Sequence, residues 1–115
     1  MRRGEIFWVD FDPALGAEVN KRRPAVIVSN DGANATATRL GRGVVAVVPV
    51  TSNIDRIFAF QVFLDAAVTG LDRDSKAQAE QVRSVSVDRV GDRVGALSGE
   101  MIEAVDDALR LHLAL

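Results

Sequence analysis

The sequence predicts a small, strongly bent antiparallel β-barrel with a C-terminal helix, mainly β in class. Three observations carry this reading. Short β-rich runs separated by turn residues occupy the first 97 positions of the 115-residue chain. The hydrophobic period then changes from two to three-and-four residues over the last segment. No repeat, linker or low-complexity tract interrupts the pattern, so residues 1–115 read as a single domain.

Each element follows from its residues. Ile6-Phe7-Trp8-Val9 is a β-rich run, with Trp8 read as core, ended by the breakers Asp10-Phe11-Asp12-Pro13. Pro24-Ala25-Val26-Ile27-Val28 starts on a proline, whose missing N–H is tolerated at a strand start. Asn30-Asp31-Gly32 opens a stretch, residues 33–40, with room for one or two helical turns before Gly41-Arg42-Gly43. Residues 44–50 are nearly all valine, which marks a strand buried on both faces. Period two then places Phe58, Phe60, Val62 and Leu64 on one face of a further strand. Shorter strands fall near residues 75–79, 82–85 and 93–97. In the last segment Met101, Ile102, Val105, Ala108, Leu109 and His112 form an apolar helical face, with His112 read as packed. Ser98 suits the N-cap, and Glu100 suits the positive end of the helix dipole.

Composition removes several function classes. Apolar residues at 48% and charged residues at 26% describe a globular chain and exclude disorder. No apolar run approaches the ~20 residues of a membrane-spanning helix. The apolar stretch at residues 6–9 is too short for a signal-peptide core, so a cytoplasmic location is expected. There is no cysteine and one histidine, which excludes disulfides, thiolate zinc sites, cysteine nucleophiles and a two-histidine pair within one chain. The net charge of −2 conceals a segregation. Residues 98–115 hold four acids and one base, leaving 13 bases against 12 acids before them. Arg2-Arg3 and Lys21-Arg22-Arg23 are the basic clusters, and clustering outweighs the sum when the ligand is a polyanion.

Three polar clusters are candidate sites. The loop from Asp12 to Arg23 is longer than a hairpin requires and ends in three cations. Alternation turns Arg23 into the barrel mouth and Arg22 to solvent; a solubilising edge cluster is the other reading. Thr51-Ser52-Asn53 ends the valine strand, where it either binds a phosphate or base edge or forms a strand-ending turn. Glu80 and Gln81 sit in strand-like context, where charge faces solvent or a site. Aromatics are only 5%, too few for an extended base-stacking surface.

The chain resembles the MazF/PemK family of toxins from bacterial type II toxin–antitoxin pairs. The matching stretches, in order, are Arg3-Gly4-Glu5-Ile6-Phe7-Trp8-Val9-Asp10 with Asp12-Pro13, Gly16-Ala17-Glu18, Arg23-Pro24-Ala25-Val26-Ile27-Val28-Ser29, Val47-Val48-Pro49-Val50-Thr51-Ser52 and Glu80-Gln81-Val82-Arg83-Ser84-Val85. The resemblance implies an SH3-like small barrel (MazF/PemK/CcdB-like) and a homodimer. It also implies metal-independent, sequence-specific cleavage of single-stranded RNA without a cofactor, and a cognate antitoxin whose tail covers the RNA groove.

Such cleavage uses the ribose 2′-OH as nucleophile and needs a base, a phosphorane clamp and a proton for the leaving oxygen. By resemblance Arg23 clamps the phosphate, Thr51 hydrogen-bonds a non-bridging oxygen and Glu18 is the base, ahead of Glu80. Asn20, Lys21, Ser52, Asn53, Glu80, Gln81 and Arg83 are the RNA-contacting positions, since single strands are read through base edges and backbone. Ala17 stands where some members carry serine or histidine, which bears on the recognised RNA word. The competing reading is a non-catalytic toxin of this fold that inhibits DNA gyrase, but Leu111-His112-Leu113-Ala114-Leu115 lacks the tryptophan-bearing tail expected there. A generic SH3-like interaction module needs exposed aromatics, and few are available.

Overall fold

A computed structural model of the chain describes residues 1–11 and 22–115. Among these residues seven strands form one antiparallel sheet: β1 (Glu5–Asp10), β2 (Arg22–Ile27), β3 (Val44–Thr51), β4 (Gln61–Leu64), β5 (Ser75–Gln78), β6 (Arg83–Ser86) and β7 (Val90–Ala96). The spatial order is β4-β5-β3-β2-β1-β7. Three helices complete the described fold: α1 (Asp31–Leu40), α2 (Ala66–Thr69) and α3 (Gly99–Leu113).

The eight-residue β3 is the axis of the sheet. One edge pairs with β2 over Val47, Val48 and Pro49. The other is shared, with β6 opposite residues 44–47 and β5 opposite Val50 and Thr51. Valine fills β3 because both its faces are buried, as its composition predicts. On one face Val45 and Val47 pack with Val9, Ala25, Ile27 and Ala37 of α1. On the other Val48 and Val50 pack with Ile6, Val26, Leu64 and Val105 of α3. Fully burying each such side chain contributes roughly 1.5–3 kcal/mol.

Several expectations are corrected. The sheet bends, with register shifts between β1 and β7, but it is not a closed barrel. Its end strands β4 and β7 are not paired with each other, and the short β4 packs against α3 instead. Phe58 and Phe60 lie before β4 rather than in it. The Gln61 N–H donates to the Phe58 carbonyl at 2.9 Å and the Gln61 Oε1 accepts the Phe58 N–H at 3.1 Å, closing a turn there. The two rings stack 5.2 Å apart, and the Arg56 guanidinium covers Phe58. Helix α1 has ten residues rather than one or two turns, because Asn30 caps it earlier than expected by accepting the Ala33 N–H. Ser98 caps α3 as predicted. His112 is exposed rather than packed, as are Leu111 and Leu113 beside it in the last turn of α3. No described helix is long and apolar enough to cross a membrane.

Two ion pairs tie the chain ends to the sheet. The Arg3 guanidinium binds Asp106 of α3 at 2.6 Å and the Val28 carbonyl at 2.8 Å. Glu5 of β1 accepts from Arg93 of β7. Burial raises the Glu5 pKa, but the hydrogen bonds from Arg93 and the Arg2 backbone, with the charges of Arg93 and the N-terminus, outweigh it and hold it below its ordinary 4.5. Gly95 of β7 passes so close to α2 that a Cβ would lie 1.7 Å from the Thr69 carbonyl oxygen.

Gly95→Ala should therefore lower the unfolding free energy by about 3 kcal/mol or more in urea titrations, while Gly99→Ala, with nothing within 4 Å, changes it little. A depressed carboxylate stabilises the fold above its unfolded pKa and loses that contribution as pH falls through the folded value. Glu5→Gln is accordingly expected to flatten the decline of the urea midpoint below pH 4.5. An unaltered slope would contradict the assignment.

Candidate functional site

The site arises where the β2–β3 ladder stops. The Val28 N–H donates to the Ala46 carbonyl at 2.9 Å, so by alternation Val48 and Val50 also direct their backbone groups toward β2. Pro49 faces the other edge. There its missing N–H falls between the last β6 pair, Val47 with Arg83, and the first β5 pair, Val50 with Ala77. The Gly4 N–H donates to the Ile27 carbonyl at 2.8 Å, which directs Ala25 and Arg23 toward β1 and Pro24 toward β3. Pro24 offers β3 no donor, and the pairing ends one residue earlier, at Ala25 opposite Pro49. Carried on, the register sets Arg23 opposite Thr51.

Between the parted strand ends lies a cavity of about 360 Å³. It is lined by Trp8, Arg22, Arg23, Pro24, Val50, Thr51, Ser52, Asp72 and Arg73. Three guanidinium groups face one carboxylate in this wall, so the cavity is locally cationic in a net acidic chain. Arg22 lies over the Trp8 ring, 5.5 Å from its centroid, a contact worth about 0.5–1 kcal/mol where exposed.

Thr51 serves two ends at once. Its Oγ accepts the Asn53 N–H at 3.2 Å, and Asn53 Oδ1 accepts the Asp55 N–H at 3.2 Å, which is the strand-ending turn foreseen as one reading. That bond uses a lone pair of the oxygen and does not occupy the hydroxyl hydrogen, which can donate into the cavity. Lys76, opposite Thr51 in register and buried, donates from Nζ to the Arg56 carbonyl at 2.6 Å and braces the following loop.

The structure thus brings Arg23, Thr51 and Ser52 around one cavity. Arg22 is exposed, as alternation predicts, and also lines the rim of the cavity. Asn53 is exposed beside it. Glu80, in a 3-10 turn at Ala79–Gln81, does not line the cavity: one carboxylate oxygen accepts from Gln61 Nε2 at 2.8 Å, and the other is buried without a partner among the described residues. Gln81 is exposed, and Arg83 lies over the Phe11 ring, 5.6 Å from its centroid. Glu18, Asn20 and Lys21 lie outside the described residues. Arg2 and Arg3 are engaged elsewhere, with Asp31 and Asp106.

Three lining residues escaped sequence reasoning. Trp8 is 36% exposed, not core. Alternation holds in β1, with Ile6 in one core and Phe7 and Val9 in the other, so Trp8 shares the face of Ile6; that face opens into the cavity at Trp8, which no local pattern records. The turn bearing Asp72 and Arg73 gives no such signal. Among the described residues no three His, Cys, Asp or Glu side chains cluster as metal ligands would.

Residues 2–113 match the family described as the PemK-like, MazF-like toxin of type II toxin-antitoxin systems. The chain is 60% identical over 115 residues to endoribonuclease MazF9 of Mycobacterium tuberculosis, covering all of this chain and 98% of that protein. It is 31% identical over 116 residues to endoribonuclease EndoA of Bacillus subtilis, covering 100% and 96%. Among solved structures the fold matches Mycobacterium tuberculosis toxin MazF-mt6, at a TM-score of 0.76 and 24% identity over 96% of this chain and 97% of the other. It also matches an endoribonuclease in complex with its cognate antitoxin from a mycobacterial species, at 0.74 and 20% over 100% and 96%. With the family pattern running through nearly its whole length, this chain belongs to the PemK-like, MazF-like toxins of type II toxin–antitoxin systems.

Proposed function

We propose that this chain is a metal-independent, sequence-specific endoribonuclease that cuts single-stranded RNA in the cytoplasm, as a homodimer restrained by a cognate antitoxin. The carrying observation is the meeting of Arg23 and Thr51 at one cationic cavity, in a chain 60% identical to an endoribonuclease. Those relatives and the family match favour RNA cleavage over gyrase inhibition.

The ribose 2′-OH attacks the adjacent phosphorus, the bond to the 5′ oxygen breaks, a solvent water protonates that leaving oxygen, and the products are a 2′,3′-cyclic phosphate and a 5′-OH. Arg23 holds the non-bridging oxygens through its planar fork, which matches phosphate geometry in a way an ammonium does not. The Thr51 hydroxyl donates to one of the same oxygens as charge builds on the phosphorane. Glu18, which precedes β2 in the sequence, takes the 2′-OH proton. Arg23 is a poor proton donor because a guanidinium stays charged at neutral pH, so its main role is electrostatic. Ser52 and Asn53 contact the strand at the cavity, and Asn20, Lys21, Glu80, Gln81 and Arg83 extend the contact surface.

Purified protein is expected to cut a long RNA in EDTA, leaving cyclic phosphate and 5′-hydroxyl ends at one short word. Arg23→Ala should slow the reaction by about 10²–10³-fold. Thr51→Val should slow it by about 10-fold or more. Both variants should keep the wild-type circular dichroism spectrum. Intact RNA, or an undiminished rate in Arg23→Ala, would refute the proposal.

A further inference from the structure

The cleavage chemistry leaves one wall of the cavity unused. Trp8 is the chain's single tryptophan. It is exposed between the fully buried Ile6 and Val9, pairs with the ladder-ending Pro24, and lines the same cavity as Arg23 and Thr51. Its ring is covered by the Arg22 guanidinium. Gly91 of β7 lies against that cover, since a Cβ there would stand 3.0 Å from Arg22 Nη2 and 3.4 Å from the Trp8 carbonyl. An indole beside the phosphate clamp thus has a planar cation lying on it.

We propose that Trp8 is the stacking platform for a nucleobase flanking the scissile phosphate, and that Arg22 holds the place of that base until RNA arrives. The proposal rests on the RNA-cutting reading above. A guanidinium over an exposed ring is held less strongly than a base stacked on the same ring, so the exchange runs toward the base. The displaced guanidinium then meets the backbone phosphate, for which its geometry is suited. Every base has a π-face, so Trp8 supplies affinity and position along the strand, leaving choice of base to polar groups.

The lone tryptophan is its own reporter. Full-length wild-type protein is titrated with an RNA strand carrying the mapped cleavage word and one 2′-deoxynucleotide at the cut, which removes the nucleophile. Anisotropy of a dye on the strand reports binding, and Trp8 emission reports stacking. Emission should be quenched in step with binding, and the quenching should largely vanish when the flanking nucleotide is abasic. Trp8→Leu should weaken binding by about 5- to 100-fold and raise KM with kcat nearly unchanged, while Trp8→Phe recovers most of the affinity. Binding with unaltered emission, or equal quenching by the abasic strand, overturns the stacking role and leaves the nuclease reading standing. A wild-type protein that neither cuts RNA nor binds the strand overturns both.

Discussion

The missing N–H of Pro24 is the constraint on which the site depends. Where β3 presents its next backbone groups, β2 offers no donor, and the ladder ends at Ala25 and Pro49. The parted strand ends then expose side chains that a continued ladder would pack side by side. Because the register is already set by the pairs behind it, Arg23 and Thr51 come into opposition with no loop required to position them. The second proline, Pro49, sits in the same strand pair yet disrupts nothing, since its vacant donor faces the gap between β6 and β5. Two prolines one pairing step apart therefore have opposite consequences, decided by the edge each one faces.

The rest of the structure makes those strand ends rigid. Burial of β3 on both faces clamps the strand between the two cores. The loop after Thr51 is held at its far end by Lys76 and by the exchange between Gln61 and Phe58. Cations are divided by task. Arg3 and Arg93 are used in ion pairs that bind the N-terminal segment to α3 and β1 to β7. Arg22, Arg23 and Arg73 gather at the cavity, where Asp72 is the acidic lining residue. A net charge of −2 is thus compatible with a locally cationic site.

Much of the fold was legible because burial leaves a periodic mark. The valine run of β3, the cap at Ser98, and the three-and-four spacing of α3 report local chemistry that neighbours do not override. The errors share a cause. Phe58 and Phe60 satisfy a period-two pattern, but a side-chain amide captures the backbone first and makes a turn. His112 continues an apolar stripe, yet the last turn of α3 that bears it is exposed. Trp8 keeps the face of Ile6, but at that point the core on this face has given way to the cavity.

By itself the amino-acid order determined the main strands and the terminal helix, and that an arginine precedes one strand proline while a threonine ends another strand. These are local properties, set by side-chain shape, periodicity and the absent proline donor. Only the tertiary structure decided that the sheet stays open, that Arg23 faces Thr51, and that Trp8, Asp72 and Arg73 join them. Those outcomes depend on which edge of which strand meets another, and residues 8, 23, 51 and 73 are brought together by pairings that no local pattern records.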